Sequence, residues 1–493
     1  MQISIVVYRW GILLGLGWCL LWGATGVAQT VPEPSLPPGV MQALLAAHIP
    51  AEALSIVVQD VATQNQVLRW NAEVPRNPAS LMKLVTTYSA LVALGPTKTW
   101  DTEIKGAEPV AGVLAGNLYI AGSGDPGLTL EHWETLLRSL RIRGVRDIHG
   151  DLVLDVGKFQ EGTQDPNGFD HQGFRAYNTV PEALQVGFKA VSLTLEAVGE
   201  RVLVNPNFDF PGLKIENRLL PRAGSCPEDW KSTFDRKVSD NGQEVQVTLA
   251  GEYVASCGKK MLSYSILSND EYILSTFSKI WGELGGHFSG KVVKGKAPAG
   301  LPLLAMHRSP PLAEQIREIN KFSNNLMART LYLDLGWTEG VEYASATASA
   351  RKVQEILARE GLKFPELVME NGSGLSRQAR ISAGHLSQLL IKAAQGPYQP
   401  EFVASLGLVG LDGTVEKRLP GEGLEGRFHL KTGSLEGVST LAGYGLTRSG
   451  RPLSLVVMVN HPQAAASKPV QDALLRWIGK ELQEDAHWTT AHF

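Results

Sequence analysis

Ser80 and Lys83 stand three residues apart in the stretch NPASLMKLVTTYSAL, residues 77–91. The stretch reads as the start of an amphipathic helix, with Asn77 as cap and Pro78 at the first helical position. Leu81, Leu84, Val85 and Tyr88 form its apolar face, and Gly95-Pro96 ends it. Residues three apart share one side of the first turn. There the helix N-terminus favours negative charge on a serine oxygen, and a desolvated lysine can take the proton. The pattern Ser-x-x-Lys occurs three times, also as Ser256/Lys259 and Ser349/Lys352, but only the first opens a capped helix.

A serine–lysine nucleophile needs a proton relay, a cation for an anionic substrate end and backbone N–H donors for an oxyanion. Two later segments offer these. Ser323-Asn324-Asn325 opens a second helix, and Lys431-Thr432-Gly433, the single Lys-Thr-Gly of the chain, lies on an expected strand. Gly433 would let a substrate backbone approach that strand. Two decoys are set aside. Ser239-Asp240-Asn241 sits in a turn between strands. Gly122-Ser123-Gly124-Asp125-Pro126-Gly127 matches a dinucleotide-binding pattern, but Pro126 has no N–H for a phosphate and Asp125 would repel one.

The elements that must carry these residues come from both ends of the chain. Residues 53–60 and 66–70 read as paired strands; RFHLKTGSLEGVSTLAGYGL reads as two more, and PLSLVVMVNH as another. Helices are expected in PPLAEQIREIN, SNNLMARTLYLDL, SATASARKVQEILAREG and SKPVQDALLRWIGKEL. Between about 98 and 300 the texture is short strands and turns, with one helix near 129–142. This gives an α/β fold with a β-rich insertion.

The chain has 493 residues, 44% hydrophobic and 19% charged, with a formal net charge of −3. That is globular composition, and no Lys/Arg run suggests a nucleic-acid partner. Arg9, the apolar run 10–22 and Gly26-Val27-Ala28 read as an export signal cut after Ala28, leaving 493 − 28 = 465 residues. A Pro-rich linker follows at Val31–Gly39. Peripheral membrane association is left open, as is the oligomeric state. Cys226 and Cys257 are the cysteines beyond the signal, and in an exported chain they are expected to pair. No His-x-x-x-His, paired Cys-x-x-Cys or Asp-rich loop occurs, so no metal site or cofactor is expected.

Ser-x-x-Lys, Ser-x-Asn and Lys-Thr-Gly in this order resemble the triple signature of penicillin-binding proteins and serine β-lactamases. The gap of 323 − 83 = 240 residues is too long for a β-lactamase, and no water-activating glutamate is assignable. The chain resembles the D-alanyl-D-alanine carboxypeptidase/endopeptidases of the penicillin-binding protein 4 type, peptidase family S13. The segments NLYIAGSGDPGLT, GDLVLDVGKF, HRSPPL, KFSNNLMA, NGSGLSR, LDGTVEKR and LKTGSLEGVSTLAGY carry that resemblance along nearly the whole mature chain.

The resemblance implies a β-lactamase/transpeptidase-like domain, an antiparallel sheet flanked by helices, over 29–98 and 300–493. It also implies an inserted domain over 99–185 and 262–299 and a nested one over 186–261. It implies an exported, periplasmic serine D,D-peptidase of peptidoglycan stem peptides and cross-links, a D-Ala-D-Ala carboxypeptidase and/or D,D-endopeptidase, covalently inhibited by β-lactams. Ser80 would be the nucleophile, Lys83 its base, and Ser323 with Lys431 the relay to the departing D-alanine. Asn325 would hold a substrate amide, Lys431 and Thr432 the carboxylate end, and the N–H groups of Ser80 and Ser434 the oxyanion, with Gly433 among the substrate-binding residues. Tyr177 and Arg377 match residues that hold the dibasic side chain of the peptide. At the acidic place, five before Tyr177, stands Gln172, with Asp170 nearby. A non-catalytic penicillin- or peptidoglycan-binding protein of the same fold is the alternative; it would predict a damaged motif, and all three are intact.

Overall fold

A computed structural model describes residues 35–160, 165–227, 229–240, 244–338 and 340–482. The expected export signal, and Asn241 of the Ser-Asp-Asn decoy, lie outside them.

Strands from both chain ends build one six-stranded antiparallel sheet. Its order is Gly407–Leu408, Phe428–Leu435, Val438–Leu446, Pro452–Asn460, Leu54–Asp60 and Gln66–Trp70. The central strands are apolar along almost their whole length because both faces are covered. Alternation divides them. Val57, Ala442, Tyr444, Val456 and Met458 pack under the helices Met82–Leu94, Leu312–Lys321, Asn325–Gly336, Ala346–Arg359 and Ala383–Gln395. Ile56, Val58, Leu430, Leu441, Leu455 and Val457 pack against Pro38–Ala46 and Lys468–Arg476. The last helix ends in a π turn over Trp477–Glu481.

The stretch between holds smaller sheets. One has five strands, in the order Val292–Lys294, Leu152–Asp155, Leu118–Ala121, Asp101–Lys105 and Leu303–Arg308. The strand Leu303–Arg308, which the expected boundary at 300 assigns to the catalytic part, thus pairs with Asp101–Lys105. Two three-stranded sheets occupy Val191–Tyr264, and their apolar faces share one core with the helices Leu130–Ile142 and Asn269–Glu283. Cys226 and Cys257 form a disulfide there. No helix among the described residues is long and apolar enough to cross a membrane.

Candidate active site

The Ser80 helix begins later than its sequence suggests. A 3-10 turn, Ala79–Leu81, precedes the α-helix Met82–Leu94, so Ser80 stands in the turn rather than in the helix. Asn77 organises the approach. Its Oδ1 accepts from the Ala79 N–H at 2.9 Å, its Nδ2 donates to the Ser376 carbonyl at 2.8 Å, and its N–H donates to Asn460 Oδ1 at 2.8 Å. Thr440 Oγ1 donates to the Pro78 carbonyl at 2.9 Å. These bonds hold Ala79 at φ 46°, a left-handed conformation costly for a residue with a Cβ. Gly374 rides directly on this turn: a Cβ there would lie 1.8 Å from the Ala79 carbonyl oxygen.

Lys83 is fully buried, and its Nζ donates to Ser80 Oγ at 3.1 Å, Asn325 Oδ1 at 2.6 Å and the Ser373 carbonyl at 2.8 Å. Asn325 heads the helix Asn325–Gly336, capped by Asn324 through the Met327 N–H. Ser323 precedes it at φ 59° and turns its Oγ to Lys431 Nζ, 2.9 Å away. Lys431 is also fully buried, and its second bond runs to the Thr432 carbonyl at 2.7 Å. Burial, and next the charge of Lys431, hold Lys83 well below the ordinary lysine value. Burial alone pulls Lys431 down to about 7. Among the described residues neither ammonium bonds a carboxylate, so nothing restores the proton affinity that desolvation removes. An amine in that state can accept the proton of the serine beside it.

Gly433 has a structural reason besides the expected one. A Cβ there would meet Thr440 Oγ1 at 2.3 Å and the Ser80 nitrogen at 2.9 Å, so the chain's own backbone needs the space. Beyond Leu430 the strand edge is open, since Gly407–Leu408 pairs with His429 and Leu430 alone. Thr432 stands on that edge, its Oγ1 donating to Thr414 Oγ1 at 2.8 Å, with Ser434 two residues on.

Tyr177 joins the cluster and Arg377 stands apart from it. Asn325 Nδ2 donates to the Tyr177 carbonyl at 3.4 Å, and Arg329 on the same helix donates to the carbonyl of Thr179 at 2.8 Å. The acid beside Tyr177 is Asp170: Tyr177 Oη donates to its Oδ2 at 2.7 Å. Burial raises the Asp170 carboxyl, but hydrogen bonds from Tyr177, Asn178 and the Gln172 N–H outweigh it and leave it below the usual range. Gln172 accepts instead from Arg175 at 3.0 Å. Arg377 donates to the Glu436 carbonyl at 3.0 Å and lies over the Phe169 ring at 4.8 Å. The sequence reading missed Ser373, whose carbonyl holds Lys83; its segment NGSGLSR was visible, but a carbonyl has no side-chain signature. Among the described residues no group of three or more His, Cys, Asp or Glu is arranged to hold a metal ion.

Residues 40–481 match the profile of the D-Ala-D-Ala carboxypeptidase 3 (S13) family. The chain belongs to that family. Within the S13 family it is 28% identical over 405 residues to the D-alanyl-D-alanine carboxypeptidase DacB of Haemophilus influenzae, covering 80% of this chain and 83% of that one. It is 29% identical over 453 residues to the D-alanyl-D-alanine carboxypeptidase of Actinomadura sp. (strain R39), covering 87% and 82%. The crystal structure of penicillin binding protein 4 (dacB) from Haemophilus influenzae superposes with a TM-score of 0.73 at 24% identity, over 88% of this chain and 98% of that one. The fold is therefore the transpeptidase-like α/β architecture with insertions that the motif order implies.

Proposed function

We propose that this S13 chain is a serine D,D-peptidase of peptidoglycan that works through a Ser80 acyl-enzyme. One observation carries the reading: a fully buried lysine, with no carboxylate partner among the described residues, donates to Ser80 Oγ at 3.1 Å. A neutral Lys83 takes the Ser80 proton as Oγ attacks the carbonyl of the penultimate D-alanine. The N–H groups of Ser80 and Ser434 stabilise the oxyanion. As the C–N bond breaks, the Lys431–Ser323 pair delivers a proton to the departing amine. Asn325 holds Lys83 through its Oδ1 and offers its amide to the peptide. Thr432 and Ser434 hydroxyls meet the terminal carboxylate at the open edge, with the Lys431 charge beneath them. Water then hydrolyses the ester. Tyr177 and Asp170 face the dibasic side chain of the stem, with Arg377 at the far rim.

β-Lactams mimic the acyl donor, so the same attack traps them as covalent adducts. Another structure of the Haemophilus influenzae protein is complexed with a novel β-lactam. The disulfide supports export to an oxidising compartment, the periplasm. The deciding experiment is labelled penicillin with the parent and Ser80→Ala proteins, followed by release of D-alanine from a D-Ala-D-Ala peptide. The parent should label and turn over, and the variant should do neither. A persistent adduct on Ser80→Ala would refute the assignment.

A further inference from the structure

The nested sheets reach the catalytic cluster through the segment that carries Tyr177. The Phe174 carbonyl accepts from the Ser265 N–H at 2.8 Å and Arg175 bridges Tyr264, while the Tyr177 carbonyl accepts from Asn325. Three cations converge at this junction. Arg175 belongs to the Tyr177 segment, Lys231 to the 3-10 turn Trp230–Thr233 and Arg236 to the strand Phe234–Asp240. The charges of Arg175 and Arg236 both act on Lys231, on the Tyr177 phenol and on the Tyr264 phenol. Each cation is half-buried and lies by a ring: Arg175 by Phe174 at 5.4 Å, Lys231 by Trp230 at 5.6 Å and Arg236 by Phe234 at 6.0 Å.

Among the described residues none of the three pairs with a carboxylate. Arg175 donates to the neutral Gln172 at 3.0 Å. Asp170 faces Arg175, but its oxygens accept from Tyr177, Asn178 and the Gln172 N–H. Asp229 faces Lys231, but it accepts from that residue's backbone N–H at 3.3 Å. Burial, and next the charges of Arg236 and Arg175, hold Lys231 below the ordinary lysine value. Tyr264 is an independent observation: its hydroxyl is buried and has no hydrogen-bond partner among the described residues. Mutual repulsion and an orphaned donor are both costs that a bound anion removes. An inward charge on an edge strand can guard against aggregation, and Phe234–Asp240 is an edge. That accounts for Arg236 alone, and not for the convergence of Arg175 and Lys231 upon it.

The stem peptide carries an anion for this place. With the dibasic side chain at Tyr177 and Asp170, the stem runs from Ser80 past Tyr177 toward the nested sheets. The residue before the dibasic one is a γ-linked glutamate, and its α-carboxylate is free. A step of about 3.5 Å per extended residue, lengthened by the methylenes of the γ link, carries that group beyond Tyr177.

We propose that Arg175, Lys231 and Arg236 bind the free α-carboxylate of the stem glutamate, and that the nested sheets thereby select acidic stems over amidated ones. The inference rests on the Ser80 acyl-enzyme reading. The test compares kcat/KM on two stem peptides ending in D-Ala-D-Ala that differ in one group, the α-carboxylate of the glutamate or its amide. The proteins are the parent, Lys231→Gln and Arg236→Gln. Penicillin labelling of each reports that the fold is intact, and Lys231→Gln, in a turn, serves if the strand variant does not fold. The parent should prefer the acid about tenfold, the low end for a hydrogen bond between charged groups, and through KM rather than kcat. Each variant should cut that preference to a few-fold, and salt should weaken it in the parent. Equal rates on the two stems in the parent, or a preference that both variants keep, overturns the assignment. A parent that forms no penicillin adduct and cleaves neither stem removes the Ser80 reading, and the carboxylate assignment with it.

Discussion

Replacing Lys431 by methionine should remove most catalysis and at the same time stabilise the protein at neutral pH. Lys431 is fully buried and bonded to a hydroxyl and a carbonyl, and burial brings it from 10.5 to about 7. A folded-state value below the unfolded one means that the unfolded chain binds more protons between pH 7 and 10.5, so stability is lost as pH falls through that window. The native-state cost at pH 7 is at most about 4 kcal/mol. Ser323 Oγ and the Thr432 carbonyl would each lose a partner worth about 1 kcal/mol, which leaves a net gain of roughly 1–2 kcal/mol. At about pH 10 the ionisation cost drops to about 1 kcal/mol, and the parent should draw level or overtake. Urea midpoints of both proteins at the two pH values, with the disulfide intact, measure this. A stability difference that does not change with pH would refute the reasoning. Removing the Lys431 charge should also raise the proton affinity of Lys83, so the acid limb of the residual penicillin acylation should move to higher pH.

Intact-mass analysis after alkylation without reductant should find Cys226 and Cys257 unmodified. Their double serine variant should lose about 3–4 kcal/mol, as a bridge spanning 31 positions implies. Burial raises Asp125 to about 6, beside His307, His132 and Gln315. The folded state then holds that proton more tightly, and stability should fall as pH rises from about 4 through 6 by up to roughly 3 kcal/mol. Asp125→Asn should remove that slope in a thermal melt series. Ser256→Ala and Ser349→Ala should leave penicillin labelling unchanged, because these hydroxyls donate to the Gly224 and Ser345 carbonyls. Arg329→Met should raise KM for stem peptides more than it lowers kcat, because it frees the Thr179 carbonyl and with it the Tyr177 segment.

What could be read in the sequence was local: the three motifs, the strands at both ends, and the helices that carry a strong apolar period. Beyond the joining of strands from the two chain ends, non-local pairing was not legible. Nothing in Leu303–Arg308 announces that its partner is Asp101–Lys105, far earlier in the chain. Gly433 was legible as a close approach but not as an approach of Pro78–Ser80, because the sequence does not say which backbone arrives. Counting five residues back from Tyr177 assumed a loop of fixed length. The turn around Asp170 sets its own, bringing that carboxylate to the phenol and leaving Gln172 to Arg175.

The central sheet has a consequence for the order of events during synthesis. Leu54 pairs with Val459, 459 − 54 = 405 positions later. At about 5–20 residues per second the strand Leu54–Asp60 waits roughly 20–80 s for its neighbour to be made. Through that interval Ser80 exists without Lys431 beside it, and the sheets of the middle stretch can form first from nearer contacts. The nucleophile is therefore covalently present long before it is chemically competent. A nascent chain is latent through topology alone, and a stop between Gly433 and Pro452 leaves a protein with all three motifs and an unfinished sheet beneath them.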